Sequence, residues 1–520
     1  MMKVNSSIFK LNPIAASIVL AMASQLTANV SFAGAGWGDN TDISGNPIRV
    51  QTFYAHSPSG LHPQFDPITG APVLDIKGNP LPSDSGTALR KFVDPMPGIY
   101  NGLDGDGIPV GIPEPWVSPD GKKTSNVFLN VSSAGTNFEP SDAYYEIAVV
   151  EYLEQMHSDL AKPTRLRGYV QIETDAIRNN NLKDATGLIG SDHIPATYPD
   201  GTPIYKWKKD PTTGKWAQST EQVYFVHKPH YLGPAIVTLK GAPVRIKFTN
   251  YLPYNDATGA SIGSADGMGG DMPLPVDEYI AGGGPILDAN GNPTGEKFTQ
   301  NRVAIHWHGG DSPWISDGTP HQWFAPAGEG AYLKGIDANH PFGLGKGVAC
   351  ADVPDMPESG PGSYTLYYPN NLSGRLMMYH DHVSGLTKLN AYTGEAAGYI
   401  VTDLNELNLV SKAIGSGLVD AAGGLSVVPD GKTLGSVVPL LDTLGWPLVI
   451  QDKTFVPKDI AQQDARWTTT HWGKEADLWF AHVYEPNQDP NSSDGTNPVG
   501  RWDWGPWFWP VFPAQYSLPS

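Results

Sequence analysis

Val303-Ala-Ile-His-Trp-His-Gly-Gly310 is answered further along the chain by Leu376-Met-Met-Tyr-His-Asp-His-Val383. Each stretch reads as a β-strand with histidines at i and i+2. A strand alternates its side chains between faces, so His306 and His308 point one way, and so do His380 and His382. Two such strands side by side place four imidazoles on one surface. Imidazole suits copper, zinc, iron and nickel, and the lack of a carboxylate or thiolate in the set favours copper over a zinc hydrolase site. A lone His-x-His is more often an ordinary polar pair. Two pairs, each with an aromatic neighbour (Trp307, Tyr379) and each followed by a glycine (Gly309, Gly385), point to metal.

His306-Trp-His-Gly309 and Tyr379-His-Asp-His382, followed by Gly385-Leu-Thr-Lys-Leu-Asn-Ala-Tyr-Thr-Gly394, resemble the first two copper motifs of the multicopper oxidases. Within that family the likeness is to the bacterial spore-coat laccases and bilirubin oxidases. Lys91-Phe-Val-Asp-Pro95, Tyr144-Tyr-Glu-Ile-Ala148, Ser316-Asp-Gly-Thr-Pro320 and Pro447-Leu-Val-Ile-Gln-Asp-Lys-Thr-Phe455 also match, in order, from about residue 91 to about 455. The resemblance implies an all-β, cupredoxin-like Greek-key barrel or sandwich. It implies one-electron oxidation of a phenolic, pigment or metal-ion substrate, coupled to reduction of O2 to water at a three-copper cluster. Carried over by position, His306 resembles the type-2 copper ligand, and His308, His380 and His382 resemble three ligands of the type-3 pair. Asp381 falls on the opposite strand face. It is read as a proton relay during oxygen reduction, the alternative being a plain hydrogen-bonding aspartate.

The 520 residues leave room for two or three domains, and 58 glycines with 47 prolines suit a loop-rich β protein. A formal net charge of −19 argues against nucleic acid and anionic membrane surfaces as partners. The single cysteine, Cys350, excludes an internal disulfide framework. It has no histidine beside it, as a blue-copper thiolate in a His-Cys-His run would have, and is expected to be a free structural thiol. Residues 1–33 read as a signal peptide. Lys3 and Lys10 precede a short apolar run from Ile14 to Ala23, and small residues follow at alternate positions near Ala33. Export to the periplasm or outside is the expectation. No run reaches the roughly 20 apolar residues of a spanning helix.

The domain reading places an irregular extension at 34–140 and a first cupredoxin domain with long insertions at 141–403. A linker or insertion follows at 404–440, then a partial second cupredoxin domain at 441–520. Tyr144–Tyr152, Gly168–Ile172, Pro234–Gly241, Pro243–Asn250, Gly362–Tyr368 and Ala397–Asp403 are the other strand candidates. The resemblance puts the pair at 234–250 beside the first histidine motif. Arg501-Trp-Asp-Trp-Gly-Pro-Trp-Phe-Trp-Pro510 is an aromatic-rich segment, read as packing rather than a stacking surface.

The family's cluster takes eight histidines from its first and last domains, and electrons enter at a blue type-1 copper in the last. This sequence has 14 histidines but two His-x-His pairs, and no His-Cys-His. It therefore reads as a fragment with half of the trinuclear ligands and no type-1 site. A second polypeptide with the C-terminal cupredoxin domain is a candidate partner. The competing reading is a non-catalytic exported copper-binding protein.

Overall fold

Alternation between apolar and polar residues decides which face of each strand is buried, and in this chain it builds two sheets packed face to face. The computed structural model describes residues 94–98, 107–121, 130–131, 138–139, 142–183, 189–274, 276, 282–288, 290, 292–333, 345–403, 448–451, 453–456 and 473–479. The signal-like segment at 1–33, the linker at 404–440, most of 441–520 and the aromatic-rich segment at 501–510 lie outside the described residues. Lys91–Asp452 with Ala476–Leu478 forms one compact unit, which carries both sheets. In the second unit, Phe455, Val456 and Trp479 are buried.

Nine strands make the two sheets: β1 (Glu114–Pro115), β2 (Ala143–Glu154), β3 (Thr164–Gln171), β4 (Ile236–Leu239), β5 (Val244–Asn250), β6 (Ile305–His308), β7 (Ser363–Tyr368), β8 (Arg375–Asp381) and β9 (Ala396–Thr402). One sheet runs β1-β2-β5-β7, with β3 paired to the far half of β2; the other runs β4-β9-β8-β6. The pairs β2–β5 and β4–β9 are parallel, and the remaining pairs are antiparallel. The chain crosses between the sheets at β3–β4, β4–β5, β5–β6, β6–β7 and β7–β8. Such crossings close a Greek-key sandwich, an all-β fold as expected from the motifs.

The core is the set of inward residues of both sheets. Tyr145, Ile147 and Val149 of β2, Ile246 and Phe248 of β5, and Tyr364, Leu366 and Tyr368 of β7 meet Ile305 and Trp307 of β6, Tyr379 of β8 and Tyr399 of β9. Tyr379 stacks on Tyr169 with ring centroids 5.1 Å apart, and Trp307 lies 4.9 Å from both Tyr368 and Tyr399. Full burial of one large apolar side chain contributes about 1.5–3 kcal/mol. The residues between the histidines are therefore what fixes the strand register. A slip by one position would expose Trp307 and Tyr379 and bury the imidazoles.

Two expectations need correction. The stretch at 34–140 is not wholly irregular: Glu114–Pro115 pairs with Tyr144 and Ala143, and Val110, Ile112 and Trp116 are buried. A buried amide recruits this short strand. The side chain of Gln171 donates to Ile112 O at 2.6 Å and accepts from Ile112 N at 2.7 Å, a tertiary contact that no local pattern announces. The strands at 234–250 do not flank the first histidine motif either. β4 sits at the opposite edge of that sheet from β6, and β5 belongs to the other sheet.

Glu114 carries a pH dependence. Its side chain is buried, Oε2 accepts from the Thr174 hydroxyl at 2.6 Å, and Oε1 has no partner. Burial pushes its carboxyl up to about 8. A folded value raised above the unfolded one means that stability is full below about pH 4.5 and is lost as pH rises towards 8. Glu114→Gln keeps the neutral shape. The variant should be more stable than the parent at pH 8 and no more stable at pH 4.5, as read by denaturant midpoints at the two pH values.

Candidate metal centre

β6 and β8 run antiparallel with His306 directly opposite His380, Trp307 opposite Tyr379 and His308 opposite Met378. The histidines occupy the outward face, and Trp307 and Tyr379 point into the core with no exposure. His382 lies just beyond β8, where its backbone N–H donates to Ala304 O at 2.7 Å and so extends the pairing. The ring of His306 is 5.8 Å from that of His308, 5.6 Å from His380 and 4.9 Å from His382, centroid to centroid. His306, His308 and His380 each offer a ring nitrogen within 4.8 Å of the others, the group among the described residues that could hold a metal ion.

Hydrogen bonds orient these rings. His306 Nδ1 donates to Asp317 O at 2.5 Å, and His380 Nδ1 donates to Asp381 O at 2.7 Å. A ring that spends one N–H on a backbone carbonyl presents its other nitrogen as a lone pair, as metal-binding histidines do. His380 Nε2 faces His308 Nδ1 at 3.0 Å. The buried Nδ1 of His382 has no protein partner. Burial, reinforced by the neighbouring imidazoles, pulls His380 down to about 4, and burial with His306 beside it also lowers His382. Both are thus held neutral at physiological pH, the form that binds metal. The donor set fits copper: borderline nitrogen donors, converging and partly solvent-facing.

Asp381 lies on the other face of β8 with no exposure. Its Oδ1 accepts from Ala304 N at 2.7 Å, and its Oδ2 accepts from Val383 N at 3.1 Å and Asn390 Nδ2 at 3.0 Å. Burial raises its pKa, while these donors and the nearby Arg302 charge work against the rise. Both oxygens are committed, away from the imidazoles. These contacts tie the start of β6 to the turn after β8.

Asp317, within the Ser316-Asp-Gly-Thr-Pro320 stretch, also belongs to the site. Besides its carbonyl bond to His306, its carboxylate Oδ1 lies 3.5 Å from His306 Nδ1. The next residue, Gly318, has φ +67°, and a Cβ there would sit 1.8 Å from Ile305 O. Only glycine lets this loop close against β6. Gly318→Ala should push Asp317 off His306, lowering copper affinity at least about tenfold, as loss of an orienting partner does. Isothermal titration with Cu(II) would read it.

Cys350 is a free, partly buried thiol packed against the core, and burial pushes its pKa up to about 12. That makes it a poor thiolate donor. Among the other described histidines, His157 faces Asp94 and Asp159, His193 faces Glu173, His227 faces Asp192 and His230 faces Glu154.

No family model matches the chain. It is 25% identical over 179 residues to a laccase of Bacillus subtilis, 34% of this chain and 25% of that protein. It is 50% identical over 54 residues to a bilirubin oxidase of Albifimbria verrucaria, 10% of this chain and 9% of that one. To the multicopper oxidase LPR1 of Arabidopsis thaliana it is 26% identical over 252 residues, 48% and 32% of the two chains. The matches thus span a third or less of these relatives. Among solved structures, a variant of the multicopper oxidase McoA of Aquifex aeolicus aligns over 66% of this chain and 35% of its own, at 14% identity and a TM-score of 0.27.

Proposed function

We propose that the chain is a multicopper oxidase, a reading supported by its likeness to laccase, bilirubin oxidase and multicopper oxidase relatives, and that His306, His308, His380 and His382 are its copper ligands. His306 would be a type-2 ligand and the other three type-3 ligands, together half of a trinuclear set. The observation that carries the reading is the register of β6 against β8, which sets His306 opposite His380 and gathers three ring nitrogens within 4.8 Å. Bound copper supplies one-electron redox chemistry with dioxygen as acceptor. The chain's own residues orient and desolvate the imidazoles. Asp317 O and Asp381 O fix two of the ring tautomers, and burial keeps His380 and His382 unprotonated. The Asp317 carboxylate lies beside His306 and is partly open to solvent.

The reaction proposed for the whole enzyme is one-electron oxidation of a phenolic, pigment or metal-ion substrate coupled to reduction of O2 to water. The remaining copper ligands and the type-1 site would come from a further cupredoxin domain on the outer face of the β4-β9-β8-β6 sheet, in this polypeptide or another. Leu376 and Met378 are about half exposed on that face. We place the protein outside the cytoplasm on the strength of residues 1–33. No helix among the described residues is long and apolar enough to cross a membrane.

The test is copper loading of the 520-residue chain. Copper should be retained through gel filtration, with only nitrogen and oxygen neighbours in X-ray absorption after Cu(II) loading. No intense blue copper–thiolate band should develop, because Cys350 has no histidine beside it and its partial burial raises its thiol pKa to about 12. Phenolic dye oxidation by this polypeptide alone is expected to be absent. Copper washing off the parent chain as readily as off His308→Ala would overturn the ligand assignment.

A further inference from the structure

We propose that Met378 is a thioether donor that, with His308, forms a soft site for monovalent copper at the rim of the histidine cluster; this rests on the copper reading of the four histidines. β8 carries two methionines side by side in sequence. Met377 faces inward and packs against the core, while Met378 is on the histidine face and 47% exposed. Its partner across the β6–β8 ladder is His308, also exposed. Residues directly opposite in an antiparallel pair have Cβ atoms about 4.5–5.5 Å apart. On its other flank Met378 is opposite Gly398, which has no side chain to crowd the sulfur. A methionine has three rotatable bonds, enough for its Sδ to reach an ion held on His308. In the copper-free chain Nδ1 of His308 is turned to His380 Nε2, which leaves Nε2 as the donor that His308 offers an entering ion before the cluster is filled.

Imidazole is borderline and binds both copper oxidation states, whereas a thioether selects the monovalent ion. A mixed His–Met pair at the rim therefore takes up reduced copper ahead of the all-nitrogen cluster. Leu376 on the same face adds apolar surface, which disfavours the more strongly hydrated divalent ion.

The test uses the whole chain with methionine methyls labelled with carbon-13, titrated without oxygen with Ag(I) as the redox-inert stand-in for Cu(I). The Met378 methyl resonance should shift and saturate at the first equivalents while that of Met377 stays in place. Met378→Leu conserves volume on an exposed position, so folding is spared. It should weaken Cu(I) binding about tenfold in competition with a chromophoric Cu(I) chelator, the low end of what loss of a metal-site partner costs. Cu(II) binding should be unchanged, and Met377→Leu should bind as the parent does. A Met378 methyl unmoved by Ag(I) in a chain that still binds Cu(II) would overturn the thioether assignment alone. A chain that binds neither ion overturns the histidine reading as well.

Discussion

His380→Ala is expected to abolish copper retention, with an affinity loss of about 100-fold or more, above the range for losing a mere orienting partner. His380 is the hub of the cluster. It lies directly opposite His306 in the β6–β8 register, its Nε2 meets His308 Nδ1 at 3.0 Å, and its ring is 5.9 Å from that of His382. Removing it deletes a donor and leaves His308 without its orienting contact. His193→Ala is the matched control, since His193 is engaged with Glu173 at 2.5 Å and takes no part in the cluster. Equilibrium dialysis with Cu(II) reads both variants, and equal losses would mean adventitious binding. The pH profile adds a second signature. The folded His380 pKa of about 4 lies below the ordinary 6.5, so its contribution to stability is present above about pH 6.5 and lost as pH falls towards 4. The copper-free parent should lose stability over that window, and His380→Ala should lose less.

Asp381→Ala should produce the largest loss of stability of any single substitution around the site. Three buried donors, Ala304 N, Val383 N and Asn390 Nδ2, all bond this one carboxylate. Each donor left unsatisfied costs about 1–3 kcal/mol, so the total should exceed about 3 kcal/mol. Copper affinity should fall with it, because the clamp holds the entry to β6 and the turn that carries His382. Asp381→Asn keeps one acceptor oxygen and should be intermediate. Chemical denaturation with parallel copper titration separates a clamp from a relay. A relay variant would keep parental stability and copper affinity, and that outcome would restore the proton-transfer role.

The histidine set was legible because strand periodicity is local. His-Trp-His and His-Asp-His put alternate residues on one face wherever the strands lie, and Trp307 and Tyr379 between them fix which face is buried. The same local logic found β2, β5, β7 and β9 close to their observed bounds. It missed Glu114–Pro115, because a two-residue strand has no period and is held by Gln171 from a distance. It also misjudged the neighbours of the histidine strand. Strand order in a sandwich depends on which sheet each crossing enters, and residue patterns do not encode that choice.

By itself the sequence determined the all-β class, the two imidazole pairs and their face. It also left Cys350 without a histidine beside it. The register of His306 against His380, the anchoring of His306 by Asp317, and the opposition of His308 and Met378 were decided by the tertiary structure alone. So was the commitment of both Asp381 oxygens to a clamp. The β6–β8 pairings and the Ala304–Asp381 bond join residues far apart in the chain, and their register is set by burying Trp307, Tyr379 and their partners in a single core, where a slip of one position exposes the whole inner face.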